Sequence, residues 1–185
     1  MTILGISGSL RSDSHNSALL RAAATELPDG VELRIFDGLR EIPAYDQDDD
    51  HDAPPAAVTR LREELAAADG LLVATPEYNS SVPGALKNAL DWASRPRDAS
   101  PLRFLPSAVV GASTGAFGAV WAQAELRKVL AASGARVVEG DLAVGHAHQK
   151  LGEDGALDPE LREQLRELLG QLVAEILPVQ AAVSA

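Results

Sequence analysis

The 185-residue sequence contains no cysteine, which removes disulfides, thiolate metal sites and a cysteine nucleophile. It also lacks any run of about 18 apolar residues, so no membrane span is expected. The first residues, Met1-Thr2-Ile3-Leu4-Gly5-Ile6, carry no basic leader and no cleavage site. They read as a first strand rather than a signal peptide, and a cytoplasmic location is the default expectation. Basic residues are outnumbered: 16 Lys and Arg stand against 27 Asp and Glu, a net charge of −11. A surface this acidic repels polyanions, so a nucleic-acid partner is not expected. Any phosphate site must be built locally, from backbone amides and one or two placed cations. The P-loop pattern, a Ser–His–Asp set and an H-E-x-x-H helix are all missing.

What is present is a regular alternation. Apolar residues make up 46% of the chain, a globular proportion, over a length suited to one domain with a full core. Strand-like runs occupy 3–7, 31–36, 71–74, 107–112 and 136–144. Helical spacing predicts helices over 16–27, 56–68, from about Pro83, over 118–132, and from Asp158. The last opens with Asp158 and Pro159, a good N-terminal pair. It presents Leu161, Leu165, Leu168, Leu169, Leu172 and Ile176 on one face. Strands alternating with helices predict a parallel sheet covered on both sides, an α/β three-layer sandwich. Runs one, three and four are apolar throughout, as central parallel strands should be. Run two alternates, and run five is interrupted by Arg136, Glu139, Gly140 and Asp141, so these two read as edges. That texture predicts five parallel strands in the order 2-1-3-4-5, the flavodoxin-like order, in a single domain over 1–185.

In such a sheet, ligands bind beyond the carboxyl ends of the strands where the order reverses, here between strands one and three. The loop Gly8-Ser9-Leu10-Arg11-Ser12-Asp13-Ser14-His15-Asn16-Ser17 precedes a helix, so free N–H groups and the helix dipole point at it. Ser9, Ser12, Ser14 and Ser17 add hydroxyls, Asn16 an amide and Arg11 a cation, together an anion cup. Capping by Ser14 or Asn16 alone would need only one such residue. A Rossmann site would want G-x-G-x-x-G here and an acid after strand two. Asp37 ends that strand, but the triple-glycine spacing is absent and Asp37 reads as a turn residue. Residues 75–82 and 113–118 form two further unusual loops on the same rim.

Three segments, "GSLRSDSHN", "PEYNSSVPGALKNALDWASR" and "STGAFGAVWAQAELRKVL", resemble the NADPH-dependent FMN reductase family. That family includes quinone, chromate and azo-dye reductases of flavodoxin-like fold. The resemblance runs from residue 2 to about 175, and it departs at Trp121, where many relatives carry a basic residue. It implies that Pro76, Glu77, Tyr78 and Asn79 contact the flavin ring. It makes Ser9, Arg11, Asn16 and Ser17 phosphate ligands beside Ser14, and Ser113, Thr114 and Gly115 a third wall. Pro76 and Pro83 would stiffen the middle loop at little entropic cost.

The implied reaction passes hydride from NADPH or NADH to flavin N5, then electrons to a small acceptor such as a quinone, free flavin, azo compound or metal oxyanion. No protein acid or base is expected to be essential, and no metal. A flavodoxin-type carrier, a non-catalytic flavin-binding protein and a Rossmann dehydrogenase are the alternatives. The resemblance further implies a homodimer or tetramer, with the helix from Pro83 at the contact. On that helix Trp92 lies roughly 100–200° from the stripe of Leu86, Ala89, Leu90 and Ala93, so Trp92 and Arg95 are expected at the interface. The acidic run "YDQDDDHDAPP" reads as a solvated loop, and His146 and His148 as a rim loop with no third metal ligand in evidence.

Overall fold

The first strand, β1 (Thr2–Ser7), buries both of its faces. Ile3 packs into one hydrophobic cluster and Leu4 and Ile6 into another. The same split recurs in β3 (Gly70–Thr75) and β4 (Pro106–Ala112). Leu72, Ala108 and Val110 join the first cluster, and Leu71, Val73 and Val109 the second. Side chains alternate across a strand, so a strand apolar throughout needs a cover on each face. Helices α1 (His15–Glu26) and α6 (Pro159–Val183), with the short α5 (Ala147–Lys150), form one cover. Helices α2 (Ala56–Ala66), α3 (Gly84–Ala93) and α4 (Val120–Ala132) form the other. The computed structural model describes residues 1–51, 53–152 and 156–183, the last six as backbone only.

The sheet order is β2-β1-β3-β4-β5, all parallel, with β2 at Glu32–Phe36 and β5 at Arg136–Val137. This is the expected flavodoxin-like order, with β2 at an edge where Ile35 is half-exposed. The six apolar residues predicted on α6 are all buried. Its N-terminus is closed by Asp158, whose Oδ1 accepts the Leu161 N–H at 2.9 Å.

Two expectations are corrected. The fifth run is not one strand. β5 (Arg136–Val137) pairs with the start of β4, and β6 (Leu142–Val144) pairs with Val110–Ala112 near its end. Between them the backbone leaves the sheet, and Arg127 of α4 takes over the open carbonyls. Its guanidinium donates to Val138 O at 2.7 Å, to Val109 O at 3.4 Å and to Gly140 O, and pairs with Asp141 at 2.6 Å.

Nor is Trp92 an interface residue: it is fully buried within one chain. The chain after β2 folds back over α3 and extends the second hydrophobic cluster with Leu39 and Ile42. Trp92 Nε1 donates to Pro43 O at 2.9 Å, and the Tyr45 ring meets the indole edge-on at 4.9 Å. Arg62 of α2 closes the site by donating to Trp92 O at 2.8 and 3.1 Å and pairing with Asp50 at 2.8 Å. The acidic run is therefore solvated only in part. Asp46, Asp48 and Asp49 are exposed, Asp50 is an ion-pair partner, and Asp52 lies outside the described residues.

Candidate functional site

Register brings Ser7 beside Ala74 and Thr75 beside Gly111. The loops leaving β1, β3 and β4 therefore share one rim at the switch point. Gly8 N–H donates to Ala74 O at 2.8 Å, binding the first two loops together. A side chain at Gly8 would come within 2.8 Å of the Leu86 side chain and 3.3 Å of Pro76, so a larger residue here would have to displace Leu86.

The first loop ends at the N-terminus of α1. Ser14 is the cap, its hydroxyl accepting the Ser17 N–H at 3.3 Å. The N–H groups of His15 and Asn16 have no partner among the described residues, as expected for the first turn of a helix. The Arg11 guanidinium is exposed and has no carboxylate partner among them. Unpaired donors, a helix dipole and one free cation thus converge, the arrangement that binds a phosphate.

Asn16 has a task that differs from the expected one. Its side chain is 2% exposed and bonds both ways to Ala112, Nδ2 to the carbonyl at 2.9 Å and Oδ1 from the N–H at 3.0 Å. It therefore joins the first wall to the third, and what it offers a phosphate is its backbone N–H. Ser17 turns away too, its hydroxyl donating to Ser7 Oγ at 2.9 Å.

In the second loop, Tyr78 and Ser81 exchange backbone bonds of 3.2 and 3.1 Å across Asn79 and Ser80. Both central residues have positive φ, 53° and 59°, the pattern of a type I′ turn. Asn79 is thus a turn residue, one of the few side chains that tolerate the left-handed region. Two carboxylates clamp this turn to α4. Glu77 Oε2 accepts the N–H groups of Trp121 and Ala122, both at 3.0 Å, at the start of α4. In return Glu125 Oε2 accepts from Ser81 Oγ at 2.6 Å and from Val82 N–H at 3.2 Å. The Ser81 hydroxyl, and then the Val82 N–H, hold the Glu125 carboxyl below its ordinary value. Glu77 is therefore an anchoring group for the loop, and its charge suits a helix N-terminus.

The third wall is tied to the segment after β6. Ala147 N–H donates to Ser113 O and His146 N–H to Gly115 O, both at 2.9 Å. Gly118, at φ 58°, lies so close to Ala143 that any Cβ would overlap its backbone. His146 and His148 sit beside this wall with ring centroids 6.4 Å apart, and the described residues contain no cluster that could hold a metal.

Between the walls lies a cleft of about 130 Å³. Ser9, Arg11, Ser14, Asn16, Pro76, Glu77, Tyr78, Ser113 and Thr114 line it, with His15 and Ala112, which the sequence reading did not select. Ser17, Asn79 and Gly115 do not. The position of His15 between cap and amide was the available signal. Asp37, the residue a Rossmann site would need, is exposed and paired with Arg60. Arg60 holds its carboxyl below the usual carboxylate range.

The pattern described as NADPH-dependent FMN reductase matches residues 1–149. An NAD(P)H-dependent FMN reductase of Pseudomonas aeruginosa is 51% identical over 128 residues, covering 69% of this chain and 68% of that protein. A quinone reductase of Escherichia coli K12 is 35% identical over 180 residues, 94% of this chain and 93% of its own length. Among solved structures, the flavoenzyme FerB of Paracoccus denitrificans, an NAD(P)H:acceptor oxidoreductase, superposes with a TM-score of 0.84 at 30% identity. That match covers 94% of this chain and 98% of FerB. With three loops on the flavodoxin rim and a match across its first 149 residues, the chain belongs to the NADPH-dependent FMN reductase family.

Proposed function

We infer that the protein is an FMN-dependent NAD(P)H oxidoreductase that passes electrons to quinone-type acceptors. The observation that carries the reading is the cup at the start of α1, where N–H groups and an Arg11 guanidinium without partners among the described residues meet at the switch point. These groups fit the phosphate of FMN, in a chain whose net charge of −11 otherwise repels it. Bound there, FMN supplies the hydride-accepting and electron-donating chemistry. The protein's own part is binding and orientation. Arg11, Ser9, Ser14 and the α1 N–H groups hold the phosphate. Pro76 and Tyr78 offer flat surface to the ring, and Glu77, Asn79 and Asn16 fix the walls in place. Ser113, Thr114 and Gly115 supply the third wall, and backbone N–H groups there suit negative charge at the ring edge. One open ring face accounts for quinones as acceptors and extends to free flavin, azo compounds and metal oxyanions.

The protein works as one domain in the cytoplasm and as a homodimer. A cleft of about 130 Å³ is smaller than the roughly 300–1,000 Å³ of ordinary small-molecule pockets. One chain holds the phosphate arm and leaves the ring half-walled. Tyr78, Phe117 and Trp121 are 50%, 65% and 49% exposed. Phe117 meets Trp121 at 5.1 Å, and the Trp121 N–H is bonded to Glu77 of the cleft. A second copy covering this rim would complete the wall. Steady-state oxidation of NADPH with a quinone, with and without added FMN, tests the function. Turnover that requires FMN is expected; a flavodoxin-type carrier binds FMN and shows no turnover.

A further inference from the structure

Behind the third wall, the buried face of α4 carries one polar residue among apolar ones. Ala122, Leu126 and Leu130 are buried there together with Gln123, which is 2% exposed. The Gln123 Nε2 donates to Gly118 O at 3.0 Å, and its Oε1 has no partner among the described residues. Room for this amide is made by Gly111 of β4, where a Cβ would lie 2.7 Å from Nε2. A buried amide with its oxygen stranded is a poor choice for stability. An unpaired polar atom is costly to bury, and an apolar side chain would fill the space without that cost. What the glutamine does there is fix Gly118.

Gly118 is the corner at which the third wall enters α4. It and Ala119 are left-handed in succession, at φ 58° and 63°. An alanine holds that conformation where its surroundings impose it. Three bonds do so here. Gln123 Nε2 reaches Gly118 O, Gln123 N–H donates to Ala119 O at 3.0 Å, and Val120 N–H donates to Phe117 O at 3.2 Å. The last two are backbone bonds that any residues could make, and only the first needs a particular side chain. At its other end the loop is tied to the segment after β6 through Ser113 O and Gly115 O. The N–H groups of Thr114, Gly115 and Ala116 have no partner among the described residues. Ser113 and Thr114 line the cleft, whereas Gln123 does not. Gln123 therefore acts on the cleft from behind, through the backbone.

We propose that Gln123 is a positioning residue for the flavin ring, which acts through Gly118 to hold the loop 113–119 and its free N–H groups against the cleft. The proposal rests on the reading of that cleft as the flavin site. Two variants remove the bond from opposite sides. Gln123→Met keeps the length of the side chain and removes the donor. Gly111→Ala keeps the glutamine and pushes its amide away from Gly118. Each is titrated by fluorescence with FMN and with riboflavin, well below its melting temperature. Both variants should bind both ligands about five- to tenfold more weakly than wild type. The ratio of FMN to riboflavin affinity should stay as in wild type, because the phosphate cup lies on α1. The midpoint potential of the bound flavin should also fall, since donors aimed at the ring edge favour the reduced ring. Gln123→Met alone decides the matter should Gly111→Ala fold poorly. A merely structural glutamine would lower the melting temperature and leave both affinities and the potential of the folded protein unchanged, and that result overturns the proposal. So does a loss confined to FMN, which would place the effect at the phosphate. A wild-type protein that binds neither ligand overturns the flavin reading itself, and the proposal with it.

Discussion

Three residues that composition alone would treat alike do different things. Arg11, Asn16 and Ser17 all belong to one polar loop, and only Arg11 keeps its side chain free. Arg11→Ala should weaken FMN by about 1.5–3 kcal/mol, roughly 10- to 150-fold, the range of a charge-assisted hydrogen bond. The melting temperature without FMN should stay the same, because the exposed side chain has no bonding partner among the described residues. Fluorescence titration beside a thermal melt checks both. Asn16 should behave in the opposite way. Its removal strands the N–H and the carbonyl of Ala112 in a buried place. Asn16→Ala should therefore lose about 2–5 kcal/mol of stability in urea melts before any ligand is added. A variant with wild-type stability and weakened FMN would return Asn16 to the role of direct ligand. The sequence shows that this loop is rich in hydrogen-bonding groups. It does not show which way each group faces, because Ala112 is 96 residues away.

At the level of the element, the loop 75–82, proposed to face the flavin, is clamped to α4 as well as closed by its own Tyr78–Ser81 turn. Glu77 caps α4, and Glu125 of α4 receives the loop. The Glu125 carboxyl is held below its ordinary value of 4.5 by the Ser81 hydroxyl and the Val82 N–H. A lowered carboxyl contributes stability above its unfolded value, and that contribution is lost as pH falls through the folded value. Glu125→Gln should therefore melt lower than wild type at neutral pH, and the gap should close in acid. A gap of equal size at pH about 7 and about 3 would contradict this clamp. Parts of this architecture are legible in the sequence. The unbroken apolar runs of β1, β3 and β4 identify buried central strands, and Asp158-Pro159 marks the start of α6. Other parts are not. Glu125 looks like any exposed helix carboxylate, since its partners lie more than 40 positions away. The break between β5 and β6 depends on Arg127 reaching from a different element to satisfy freed carbonyls. Periodicity within a window carries no information about either.

For the whole molecule, the burial of Trp92 shifts the expected dimer seam. A helical wheel assigns α3 one partner, the sheet, and so leaves Trp92 outside. The connection 37–55, acidic and proline-containing, reads as a loop, yet it brings Ile42, Pro43 and Tyr45 over α3. Trp92→Ala should destabilise the monomer by about 3–5 kcal/mol, the range for removing a buried aromatic. Trp121→Gln, on the exposed rim, should leave the fold intact and loosen the proposed dimer, read by light scattering at micromolar concentration. A dimer unmoved by Trp121→Gln would place the seam elsewhere. The central claim is that three loops on one rim bind flavin by its phosphate, at the N-terminus of α1. Its most direct test is a pair of fluorescence titrations on the wild-type protein, one with FMN and one with riboflavin. These ligands share the ring and ribityl chain and differ only in the phosphate. FMN should bind tighter by at least about tenfold, the contribution of one charge-assisted contact. Equal affinity for the two would contradict the site.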